Sequence, residues 1–119
     1  MASYTRVHLS GSTDGLPINV TGTATGSSNT VHTAVAGSVN FDELYLWVSN
    51  LHTADVSLTV EWGSATDPGG LLMKTVVIPA LSPPTPFAFG QVLNNAKVVK
   101  VFASTTAVLN ITGFINRIA

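Results

Sequence analysis

The stretch that decides the fold is "VSLTVEWGSATDPGGLLMKTVVIPA", residues 56–80. In "VSLTVEW", Val56, Leu58, Val60 and Trp62 point one way, and Ser57, Thr59 and Glu61 the other. Period-two alternation over seven residues predicts a half-buried antiparallel strand with Glu61 on its solvent side. "GSATDPGG" is a loop, because proline fixes φ and the two glycines allow positive φ. "LLMKTVVIPA" is the next strand. Upstream, "FDELYLWVSN" (41–50) sets Leu44, Leu46 and Val48 on one face and Tyr45 and Trp47 on the other, so both faces read as at least half buried. With turn formers Asn50 and Asp55 between them, residues 41–62 read as a β-hairpin whose loop spans about residues 50–55.

Downstream, "LSPPTP" stops the strand, since three prolines in four positions donate nothing to a sheet. "FAFGQVL" is a short or edge strand. "KVVKVFAST" and "AVLNITGFINRI" are two more, the last with Leu109, Ile111 and Ile115 opposed to Val108, Phe114 and Ile118. No segment carries a capped helical repeat. The total is seven to nine strands, which predicts an all-β antiparallel sandwich, with a jelly-roll-like order favoured. Residues 1–38 hold half of the glycines and many Ser and Thr. They read as an extended N-terminal arm with short strands, ahead of a sandwich core at 39–119. The alternative, that 1–38 is the first sheet edge of the same domain, stays open.

The chain has 119 residues, the length of one domain. It is 45% hydrophobic and only 9% charged, against about 25% charge in an ordinary soluble domain. No run of apolar residues is long enough for a transmembrane helix, so no membrane partner is expected. A net charge of −1 with five scattered Lys and Arg argues against nucleic acid as a partner. Cysteine is absent, which removes thiolate catalysis, disulfides and thiolate metal sites. "MASYTRVHLSGSTDG" shows no apolar core of a secretory signal.

No catalytic, cofactor or metal residues are assigned. Asp42 and Glu43 are adjacent, so on a strand they face opposite ways; they read as a solvated strand start, not a carboxylate pair. Asp55, Glu61 and Asp67 supply too few clustered oxygens for calcium. His8, His32 and His52 have no ligand spacing and read as surface or edge histidines. "EWGSATD" is no nucleophile elbow. Lys97 and Lys100 read as edge charges facing opposite ways. No enzyme activity is expected. Trp62 reads as core. Trp47, with Tyr45 and Phe41, forms an aromatic row that on an outer sheet face is a binding surface.

Neutral surfaces lose water at lower cost than charged ones, which suits protein contact. The stretches "DELYLWVSNLHTADVSLTVEWG", "TDPGGLLMKTVVIPA" and "VVKVFASTTAVLNITGFINRI", within residues 41–118, resemble small all-β head proteins of tailed bacteriophages, cyanophage-like in texture. The resemblance implies a capsid decoration (cement) protein on the capsid exterior of the virion. Such a protein partners the major capsid protein and itself, as a homo-oligomer with a trimer favoured, and braces neighbouring capsid subunits. A tail, head-fibre or head-completion protein and a carbohydrate-binding sandwich module are the alternatives.

Overall fold

The computed structural model describes residues 3–119. Nine strands form two antiparallel sheets packed face to face: β1 (Tyr4–His8), β2 (Ile18–Asn19), β3 (Asn29–Thr33), β4 (Phe41–Asn50), β5 (Val56–Trp62), β6 (Leu71–Ile78), β7 (Thr85–Leu93), β8 (Val98–Ala103) and β9 (Leu109–Ile118). Sheet A runs β1-β9-β4-β7, with β2 continuing the β1 edge along β9; sheet B runs β3-β8-β5-β6. The one helical element among the described residues is a single 3-10 turn at Thr25–Ser27.

The alternation read from the sequence is what builds the interior. Leu44, Leu46 and Val48 of β4 and Leu109, Ile111 and Ile115 of β9 face Val56, Leu58 and Val60 of β5 and Val99 and Val101 of β8, all fully buried. Burying each of these side chains stabilises the fold by roughly 1.5–3 kcal/mol before chain entropy is counted.

Two expectations change. Residues 41–62 are no hairpin. β4 pairs with β9 and β7 in sheet A, while β5 pairs with β6 and β8 in sheet B. The connection at 51–55 arches across the sandwich because inward residues of both strands must meet one core. Asn50 shapes the arch. Its buried amide donates to Ile78 O (2.9 Å) and Ala54 O (3.1 Å), and its Oδ1 accepts from the His52 N–H (2.8 Å). Among the described residues β5–β6 is the one pair of consecutive strands joined within a sheet.

The segment expected as an arm is built into both sheets, its first two residues lying outside the described ones. β1 and β2 pair with β9, and β3 with β8. Leu9, Ile18, Val20 and Val31 lie in the same core as the rest of the chain. Approach here is close: a Cβ on Gly11 would stand 2.2 Å from Thr30 O.

Gly113 is the tightest point of sheet A. It has φ +154, and a Cβ there would stand 2.1 Å from the Tyr45 carbonyl oxygen of the neighbouring strand. Backbone does not yield as a side-chain tip does. Gly113→Ala should therefore destabilise the protein by about 2 kcal/mol or more, read as a lowered urea midpoint with unchanged slope.

Candidate functional site

Three places hold chemistry-bearing side chains. The first lies inside. Asp42 opens β4 on its inner face and sits directly opposite Arg117 of β9. The guanidinium grips the carboxylate twice, Nε to Oδ1 at 2.8 Å and Nη2 to Oδ2 at 3.0 Å. His32, on β3 of the other sheet, reaches Oδ2 through Nε2 at 2.8 Å, and the Val35 N–H donates to the same oxygen at 3.0 Å. The His32 Nδ1 accepts from the Ser10 N–H at 3.0 Å. That bond leaves the ring proton on Nε2, where it is donated to Asp42. Both His32 and Asp42 are essentially sealed from solvent.

These placements overturn the readings of Asp42 as a solvated strand start and of His32 as a surface histidine. A short polar side chain at a strand end carries no signal of burial. Only the register of β4 against β9 reveals the partner. Asp42 and Glu43 do face opposite ways.

Burial pushes the Asp42 carboxyl up, but hydrogen bonds from Arg117, His32 and the Val35 amide outweigh it and hold the group below the usual carboxylate range. Burial pushes the His32 imidazole down, beyond what Asp42 restores. A histidine oriented by an aspartate is one half of a general base arrangement. Here both ring nitrogens are taken, one by a backbone amide and one by the carboxylate. The cluster ties sheet A to sheet B and to the loop at Ser10.

The second place is the cleft beside Glu61. The side chain lies on the outer face of sheet B, but residues 23–25 cross over it and Thr25 Oγ1 bonds its carboxylate. Glu61 is 3% exposed, not solvent-facing as the alternation suggested. Thr59 is covered too. Lys100 stands opposite Glu61 across the β5–β8 ladder, yet no ion pair forms between them among the described residues. Lys97 precedes β8 instead of lying on it, so strand alternation does not relate it to Lys100, and both line the cleft of about 290 Å³. β8 lies inside sheet B, so Lys100 is no edge charge either. The remaining acids are spread out: Asp67 pairs with Lys74 at 2.7 Å in solvent, and Asp55 accepts from the Ala80 N–H at 2.9 Å. His8 is exposed on β1, and His52 half-buried in the β4–β5 arch.

The third place is the outer face of sheet A. Tyr45 and Phe114 stack across β4 and β9, with centroids 5.0 Å apart and planes 15° apart. Trp47 leans on the same ring at 6.1 Å. Arg6 of β1 lays its guanidinium 4.4 Å from the Phe114 centroid. Opposite Tyr45 on β7 stands Phe89, 69% exposed. Tyr45 and Trp47 were legible as a row. Phe114 and Phe89 join it only through register, and Phe41 sits apart, lining a groove with Val92 and Leu93. Trp62 packs on the core from its rim.

Comparison of the chain with protein-family models, with curated proteins and with solved structures found no match.

The buried cluster makes two predictions. Asp42→Asn strips the charge that holds Arg117 and His32 and should cost about 3 kcal/mol of unfolding free energy, measured by urea denaturation. The second concerns pH. His32 has a folded pKa below its ordinary 6.5, so its contribution is complete above that value and is lost as pH falls below it. Asp42 lies below its ordinary 3.8, so its contribution is lost further down. Melting temperature should drop in two acid limbs, and His32→Gln should flatten the one just below neutrality while leaving the lower one.

Proposed function

We propose that this chain is a structural protein of a virus particle, a capsid decoration protein that sits on the outside of the head and braces neighbouring major capsid subunits. The observation that carries the reading is the open, aromatic outer face of sheet A. Tyr45, Trp47, Phe114 and Phe89 form one patch, with only Arg6 and Glu43 as charges beside it among the described residues. A sheet face of this composition is costly to leave in water and suited to burial against protein. The sequence resemblance to phage head proteins supports the same reading. We read the order β1-β9-β4-β7 against β3-β8-β5-β6 as jelly-roll-like, a build that capsid domains use.

Bracing of this kind needs no catalytic group. Each copy makes a modest contact, and a lattice of copies makes the sum effective. No crossing arm is needed for the reading, and β1, β2 and β3 are committed to the two sheets.

Cryo-electron microscopy of the purified particle tests the reading. The expected result is hundreds of copies outside the shell, at three-fold and quasi-three-fold positions. A handful of copies at a vertex or tail moves the protein to the tail or head-fibre class, and none removes it from the particle. Phe114→Ser should lower occupancy about tenfold or more with an unchanged circular dichroism spectrum. Glycan binding by the free chain, lost in the same variant, would make the aromatic row a sugar platform instead.

A further inference from the structure

We infer that the partner covering the outer face of sheet A is a second copy of this chain, packed sheet on sheet across a two-fold axis. The inference rests on the reading of this face as a protein contact and names its occupant, so that the pair, if it decorates a shell, meets the capsid subunits through the surfaces it leaves open. Its first support is the placement of charge. Among the described residues the face carries one fixed cation, Arg6 on β1, and one anion, Glu43 on β4, with His8 opposite Phe114 beside them. Both lie in a single row across the sheet, because Arg6 and Glu43 are each the register partner of Asn116 on β9. That puts them two strand spacings, about 10 Å, apart. Neither forms an ion pair among the described residues. Arg6 instead lies over Phe114, its guanidinium edge open to a second contact.

A face that is neutral overall, with its positive and negative ends separated, is complementary to itself after a two-fold rotation. An axis parallel to the strands, running between β9 and β4, lays β9 of one copy over β4 of the other and β1 over β7. Phe114 then meets the Tyr45 of the second copy, at the centre. Arg6 and the Glu43 of the second copy are then offset by about one strand spacing, 5 Å, across a sheet-to-sheet gap of about 10 Å, a span that the two inward-pointing side chains bridge together. The rotation makes this pair twice. A two-fold contact of identical patches is also the commonest way for a soluble chain to associate.

The second support is area. Four strands of about eight residues span roughly 19 by 26 Å, so two such faces bury about 1,000 Å², the lower bound for a specific interface. Phe89 and Tyr4, exposed at 69% and 71%, stand on the flanking strands and would close over the rim. The pair is two-fold, in place of the trimer that the resemblance implies.

The test is charge reversal on the intact chain, read by sedimentation equilibrium. Wild type is expected at twice the 12.4 kDa chain mass. R6E and E43R should each weaken the dimer about tenfold or more, and the double variant R6E/E43R should recover most of that loss, because swapping both charges restores both pairs only if the partner is the same chain. Neither residue forms an ion pair within its own chain, so all three variants should keep the wild-type circular dichroism spectrum. A monomer at about 100 µM, a trimer, or a dimer indifferent to the reversals would overturn the inference. A monomer that still binds shells through Phe114 overturns this inference alone and keeps the decoration reading. A dimer rescued by the double reversal but absent from particles supports the inference and removes that reading.

Discussion

A carboxylate with no access to water has to be matched, and Asp42 is the point on which this sandwich turns. Its two oxygens collect donors from β9, from β3 in the opposite sheet and from the chain just before β4. Hydrophobic contact between sheets is tolerant: two apolar faces slide with little change in buried area. A bidentate guanidinium and a fixed imidazole are not tolerant, because a shift of one residue strands a buried charge. The cluster therefore specifies the register of β4 on β9 and the position of sheet B over sheet A at that end.

The same cluster explains why the Gly-, Ser- and Thr-rich beginning of the chain belongs to the domain. Ser10 holds the far side of the His32 ring through its amide, and its hydroxyl accepts from the Thr33 N–H. Small residues there are a consequence of crowding, since Gly11 lies against the backbone of β3. Composition that resembles a linker is here the composition of a segment threaded close to other backbone.

Where the sequence was legible, one physical rule acted alone. β5 alternates because its inner face meets the core, and Val56, Leu58 and Val60 were readable for that reason. Pro86 in β7 is tolerated because β7 is an edge, pairing with β4 alone. Legibility failed where a second element intervened. Glu61 alternates as a solvent residue, but the chain at 23–25 returns to cover it. Asp42 and His32 look unremarkable singly, and their meeting depends on pairing between residues 10 and 75 positions apart. The turn at 50–55 contains the right residues for a turn, yet nothing local distinguishes a hairpin from an arch. On the outer face the aromatic residues of one strand were visible, while those brought alongside by β7 and β9 were not.

The place of β9 has a consequence for how the molecule comes into being. It is the last strand along the chain, yet in sheet A it lies between β1 and β4, strands from the first half. Until it arrives, β1 and β2 have no neighbour to pair with, Arg117 is missing from Asp42, and sheet A is two fragments. Only β5 and β6 are able to pair as local neighbours. Folding must wait on contacts between distant parts of the chain, which makes it slow and concerted rather than sequential during synthesis. In that interval the edge of β4 that β9 covers is open along its whole length, from Phe41 to Asn50. Yield of native protein is then set by how long the unfinished sheet avoids its own kind.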